Sequence, residues 1–213
     1  KVVLAFSGGL DTSYCAKYLS ETLGYEVHAV TINTGGFDKD DEVLLKEKAE
    51  KLGVTSYRFI DASEKYYNDC VKYLIFGNVL KNNTYPLSVS AERTIQAQTI
   101  AETALEIGAD AIAHGSTGAG NDQVRFDLIF NVMCPKIEII TLIRDLSLSR
   151  EDEIQFLKDH NNEMDFDKAK YSINKGRWGT SVGGKETLTS RYSLPEEAFP
   201  SQVEKTESSE LEI

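Results

Sequence analysis

An apolar run, Val2–Phe6, breaks at once into Ser7-Gly8-Gly9-Leu10-Asp11-Thr12-Ser13, and no other stretch restricts the fold as tightly. A short apolar run ending at two glycines reads as a buried strand stopping at a tight turn. Tyr14–Leu23 continues with helical spacing, and Thr12 or Ser13 can support its first turn. A glycine turn between strand and helix gathers free backbone N–H groups and the positive end of the helix at one point, which attracts phosphate. Any Cβ there would hold a phosphate away from the backbone. The loop has no lysine, so it is not the Walker-type turn ending in Gly-Lys-Ser/Thr. Charge on a triphosphate would then be balanced by Mg²⁺ or by a distant arginine.

The rest of the first 160 residues repeats this rhythm. Strands are expected at Val27–Ile32, Ser56–Ile60, Ala109–His114 and Ile137–Leu142. Helices are expected over Asp40–Leu52, with Val43, Leu44, Ala49 and Leu52 on one face, then over Tyr66–Phe76 with Asp61 or Ser63 as cap. Further helices are expected over Thr94–Ile107 after the turn-rich stretch Asn82–Arg93, over Phe126–Val132, and after the cap Ser149-Arg150-Glu151-Asp152 through Leu157. Strands alternating with helices predict an α/β fold, a doubly wound, mostly parallel sheet covered on both faces. Such sheets bind ligand outside the carboxyl ends of their strands, where the Gly8-Gly9 turn falls. Regular patterns fade after Asn161, so a boundary is expected near Met164. Residues 1–164 form a nucleotide-binding domain and 165–213 an appended module or the start of a second domain.

Composition narrows the partners. The 213 residues carry a formal charge of −11, which argues against a nucleic-acid surface. No apolar stretch reaches membrane-spanning length. Cys15, Cys70 and Cys134 are scattered and read as reduced core thiols of a cytoplasmic protein. His28, His114 and His160 form no metal-ligand spacing, and no metal ligands are expected.

A second glycine-rich turn, Gly115–Asp122, also follows a short strand and should open on the same sheet edge. Asn121, Asp122 and Arg125 crowd just past it. Together they can hold a zwitterionic amino acid, Arg taking a carboxylate and Asp an ammonium. Equally, Asn121 and Asp122 cap a helix on which Arg125 is a solvated charge.

Ser-Gly-Gly-Leu-Asp-Thr-Ser after a strand resembles the PP-loop of the ATP pyrophosphatases, enzymes that split ATP between its α and β phosphates. The motifs in order go further. Ala5–Ser13, the block His114-Gly115-Ser116-Thr117-Gly118-Ala119-Gly120-Asn121-Asp122-Gln123-Val124-Arg125-Phe126, and Tyr171-Ser172-Ile173 with Trp178-Gly179-Thr180-Ser181 resemble the argininosuccinate synthase family. The resemblance runs from Lys1 to about Phe199. It implies ligation of citrulline to aspartate with ATP and Mg²⁺, yielding argininosuccinate, AMP and pyrophosphate. It also implies that 165–213 begins a synthetase domain cut short here, and that the full-length protein is a cytoplasmic homotetramer.

By that resemblance Ala5, Phe6, Ser7, Gly8, Gly9, Leu10, Asp11, Thr12 and Ser13 hold ATP, with Ser7, Asp11 and Thr12 as the candidate catalytic positions. Ile32 lies against the adenine and Gly115 approaches the nucleotide. Thr117, Asn121 and Asp122 grip aspartate. Tyr85, Ser90, Arg93, Asn121, Arg125, Ser172 and Ser181 line the citrulline pocket. Ala119 departs from the family's usual lysine, removing a positive charge near the phosphates or substrate. The other readings are a different PP-loop adenylating enzyme, or an ATP-binding fragment or module without turnover.

Overall fold

The computed structural model describes residues 1–118, 120–162, 171–205 and 207–210. Ala119 and the expected boundary near Met164 lie outside them. Five strands form one parallel sheet in the order β3-β2-β1-β4-β5: β1 (Val2–Ala5), β2 (Val27–Asn33), β3 (Ser56–Asp61), β4 (Ala111–His114) and β5 (Glu138–Ile140). β1 is central, pairing Val2 with Val27 on one side and with Ala111 on the other. Its residues alternate between two cores. Val2 and Leu4 join Leu10, Tyr14, Leu19 and Ala49 on one face, and Val3 joins Ile95, Ile100, Phe126 and Phe130 on the other. A strand buried on both faces must be continuously apolar, which is why these runs were legible.

The helices are α1 (Leu10–Lys17, prolonged by a wide π-turn at Tyr18–Thr22), α2 (Lys39–Lys51), α3 (Ser63–Tyr66), α4 (Lys72–Phe76), α5 (Ser88–Ile107), α6 (Asp122–Met133), α7 (Leu142–Asp145) and α8 (Arg150–Asp159). None of the described helices is long and apolar enough to cross a membrane. Reciprocal capping boxes start α2 at Asp38 with Asp41 and α8 at Ser149 with Asp152.

Several elements differ from expectation, for tertiary reasons. α2 buries Leu45, Ala49 and Leu52, while Val43 and Leu44 are exposed; the stripe that packs is the one at i, i+4, i+7. α5 starts six residues before Thr94. Its first turn is fixed from outside, where Tyr66 Oη donates to Ser88 O at 3.1 Å and Val89 N–H donates to Tyr85 Oη at 3.1 Å. α6 likewise begins at Asp122, ahead of Phe126. The strand expected at Ile137–Leu142 ends at Ile140 and turns into α7.

Beyond residue 170, a two-stranded antiparallel hairpin joins β6 (Ser172–Gly176) to β7 (Gly179–Gly183). It packs against α5 and the β2–α2 loop. Trp178 Nε1 donates to Pro86 O at 2.8 Å, Arg177 N–H donates to Thr34 O at 3.2 Å, and Asn174 Oδ1 accepts from Arg93. That loop is itself held by buried Asn33, whose Oδ1 accepts from the N–H groups of Gly35, Gly36 and Phe37 at 2.8, 3.1 and 3.2 Å. Asn33→Ala removes the common acceptor of three donors and is expected to cost about 1–3 kcal/mol in urea unfolding. Asn33→Asp, which keeps the acceptor, should lose less.

Candidate active site

Both glycine turns open at the carboxyl edge of the sheet, between β1 and β4, where the strand order reverses. A cleft of about 950 Å³ lies there. Five of the chain's 23 Lys and Arg residues line it (Lys48, Lys51, Arg93, Arg150 and Lys175) against only four of its 34 carboxylates (Asp11, Glu47, Glu92 and Asp122). An acidic protein has thus concentrated cations around one cavity.

The first turn is braced by its own side chains. Ser7 and Thr12 hydroxyls lie 3.3 Å apart, Gly9 N–H faces Ser7 Oγ at 3.4 Å, and Ser13 Oγ donates to Gly9 O at 2.7 Å. Gly8 takes a φ of +72°, a region open to glycine at little cost, and Leu45 of α2 sits directly over it. Ser13 is fully buried and supports the loop from behind, whereas Ala5, Phe6, Ser7, Gly8, Gly9, Leu10, Asp11 and Thr12 line the cleft. Ile32 and Gly115 line it too, and Gly115 packs directly on Asp11 and Thr12.

The second turn leads into a charge network. Asp122 receives Arg93 Nε at 3.0 Å on one oxygen and Arg125 Nη1 at 2.6 Å on the other. Arg125 also donates to Ser90 Oγ at 2.9 Å, and Arg93 to Gln96 Oε1 at 2.8 Å. Four candidates (Ser90, Arg93, Asp122 and Arg125) are therefore brought into one cluster. Arg125 is partly buried and paired, unlike a solvated helix charge. Asn121 is the N-cap residue of α6, but its side chain makes no capping bond. Thr117 and Ser172 line the cleft; Tyr85, Asn121 and Ser181 do not, although Ser181 pairs across the hairpin with Asn174, which does.

Three further groups, Lys48 and Glu92 in the cleft and Glu153 beside Asp11, were not among the expected site residues. Lys48 donates from Nζ to the Gly8 carbonyl, forty residues away. Glu92 is buried and accepts from Thr34 Oγ1 at 2.8 Å and from Gln96 Nε2 at 3.0 Å. Burial pushes its carboxyl above the usual range, against the neighbouring Arg93. Glu153 of α8 is buried beside Asp11, and one of its oxygens has no hydrogen-bond partner among the described residues. A Glu92/Arg93/Gln96 spacing on one helix face would have pointed to the second; the others are contacts across the chain.

Under the second turn, His114 accepts Ser116 N–H on Nδ1 at 3.2 Å and donates from Nε2 to Asp127 at 2.9 Å. This selects one neutral tautomer, and burial lowers the ring's pKa below its ordinary value. Arg144 closes the chain of contacts on Asp127 at 2.8 Å. His114 therefore fixes the start of the second turn.

Comparison with known proteins adds to this geometry. Residues 1–163 match the family described as Arginosuccinate synthase N-terminal HUP domain. The argininosuccinate synthase of Methanocaldococcus jannaschii is 40% identical over 212 residues, 99% of this chain and 53% of that protein. That of Saccharolobus solfataricus is 39% identical over 199 residues, 93% of this chain and 50% of that protein. The Pyrococcus furiosus protein of the same name is 40% identical over 199 residues, 93% of this chain and 48% of its own length. The chain spans about half the length of the curated relatives it matches.

Proposed function

This chain belongs to the argininosuccinate synthase family, and from that premise we propose that its cleft binds ATP and serves the ATP-dependent ligation of citrulline to aspartate. The carrying observation is the meeting of two glycine turns at one sheet edge with the Asp122–Arg93–Arg125 network between them and the hairpin. In this reading Ala5–Ser13 with Ile32 and Gly115 surround the nucleotide. Thr117, Asn121 and Asp122 take aspartate. Tyr85, Ser90, Arg93, Asn121, Arg125, Ser172 and Ser181 take citrulline. The loop fits a phosphate: its φ > 0 residue is glycine, Lys48 reaches its Gly8 carbonyl, and further cations line the same cleft. Among the described residues no group of three or more His, Cys, Asp or Glu side chains is placed to hold a metal, so Mg²⁺ enters on the ATP phosphates.

The chemistry follows from a poor electrophile. The ureido carbon of citrulline is stabilised by resonance and resists direct attack by an amine. Its oxygen attacks the α-phosphate, pyrophosphate leaves, and the oxygen becomes part of an AMP leaving group. The amine of aspartate then displaces AMP, giving argininosuccinate for arginine biosynthesis. Both steps require in-line approach and neutralised phosphate oxygens, so alignment and charge are the protein's main contributions. Ser7, Asp11 and Thr12 stand against the reacting phosphates. The full-length protein acts in the cytoplasm as a homotetramer.

The test is pyrophosphate release from ATP and Mg²⁺ with citrulline and aspartate, each omitted in turn. Release that requires citrulline is expected. Silence with ATP still bound would assign this chain to nucleotide binding without turnover, and citrulline-independent release to another PP-loop adenylating enzyme.

A further inference from the structure

The phosphate turn contains no lysine, yet one is delivered to it from elsewhere. Lys48 lies on α2, whose start is fixed by the Asp38–Asp41 capping box. One turn earlier Leu45 packs against Gly8, so the helix is seated on the loop. Lys48 then donates from Nζ to the Gly8 carbonyl and lines the cleft.

Its charge is not answered by the protein. Lys17, Lys46 and Lys65 pair with Glu21, Glu50 and Asp69, whereas Lys48 forms no ion pair among the described residues. Burial alone holds its ammonium below the usual lysine range, with no carboxylate opposing that shift. A half-buried cation met only by a carbonyl dipole is unfavourable unless an anion arrives. The nearest place for one is the backbone cradle of Gly8 and Gly9.

We propose that Lys48 is the cation that meets the β and γ phosphates of a nucleoside triphosphate, supplying from α2 the charge that the turn lacks. The ammonium exchanges its bond to the Gly8 carbonyl for bonds to phosphate oxygens. A flexible lysine suits this because it can hold the empty loop in shape and then reach the ligand without moving the helix. The inference rests on the reading of the cleft as an ATP site.

Calorimetric titration of the 213-residue chain with ATP, inorganic pyrophosphate and AMP tests it. Lys48→Met keeps the apolar stem and removes the charge. It should weaken ATP and pyrophosphate by about 10- to 100-fold while leaving AMP within about twofold. Lys48→Arg should recover part of the loss. Equal weakening of ATP and AMP would make Lys48 a support of the loop alone and overturn the proposal, as would unchanged ATP affinity. Wild-type chain that binds AMP but neither ATP nor pyrophosphate would overturn it as well. Wild-type chain that binds none of the three removes the nucleotide reading itself, so the two failures are separable.

Discussion

Gly36→Ala is expected to release the β6–β7 hairpin from the cleft and to destabilise the chain by about 3 kcal/mol or more. A Cβ at residue 36 would stand 1.8 Å from the Lys175 carbonyl oxygen and 2.8 Å from its carbon. Both neighbours are backbone, so no side-chain rotation relieves the overlap. The hairpin must move, and with it the Arg177–Thr34, Asn174–Arg93 and Trp178–Pro86 contacts. Trp178 is the only tryptophan, packed against the Val3–Phe130 core, so its emission reports the event. A red shift toward the solvent-exposed value should accompany a lower urea midpoint. Far-UV circular dichroism should keep its α/β form, because the five parallel strands do not include residue 36. An unshifted Trp178 spectrum with an unchanged midpoint would show that the hairpin does not depend on this approach.

The expectation that 1–164 and 165–213 are separate domains remains a proposal; within the described residues, the hairpin and the sheet share the wall of one cleft. That sharing was hidden in the sequence for a physical reason. β6 and β7 carry few apolar residues, Ile173 is nearly half exposed, and the turn Arg177-Trp178 is not a strong hairpin former. Their stability comes from docking, and docking leaves no periodicity. β1, β2 and β4 were legible for the opposite reason: burial on both faces imposes a predominantly apolar run bounded by turn residues. The glycine turns were legible because backbone approach excludes side chains. Strand order, the early start of α5, and the arrival of Lys48 and Glu153 at the first turn are long-range facts, set by packing between segments far apart in the chain.

Glu153→Gln should stabilise the chain at pH 8 and leave it almost unchanged near pH 4.5. Glu153 lies on α8, pinned at its start by the Ser149–Asp152 box and against α1 by Tyr14, whose ring centroid lies 4.8 Å from that of Phe156 at a tilt of 59°. It faces Asp11, Tyr14 and Cys15 of α1, and Arg150 and Asp152 of its own helix. Burial, then the Asp11 charge and a hydrogen bond to Asp11, push its carboxyl up to about 8; Arg150 opposes this. Asp11 is itself raised by burial, with Arg150 and Glu153 pulling it down. Both carboxyls are thus pushed upward by burial side by side, so the pair holds its proton more tightly folded than unfolded. A carboxyl that binds its proton more tightly folded than unfolded stabilises fully below the unfolded value of 4.5. That stability is lost as pH rises toward 8, at roughly 1.4 kcal/mol per pH unit for one group. Gln does not titrate, so the difference between variant and wild type should grow from near zero at pH 4.5 to about 4 kcal/mol at pH 8. Urea unfolding across that range measures it. Parallel profiles for the two proteins would mean that Glu153 is ionised throughout and that the pair holds its proton no more tightly folded than unfolded. Glu153→Ala separates charge from packing: it removes the carboxyl, leaves a cavity beside Asp11, and should be less stable than Gln at every pH.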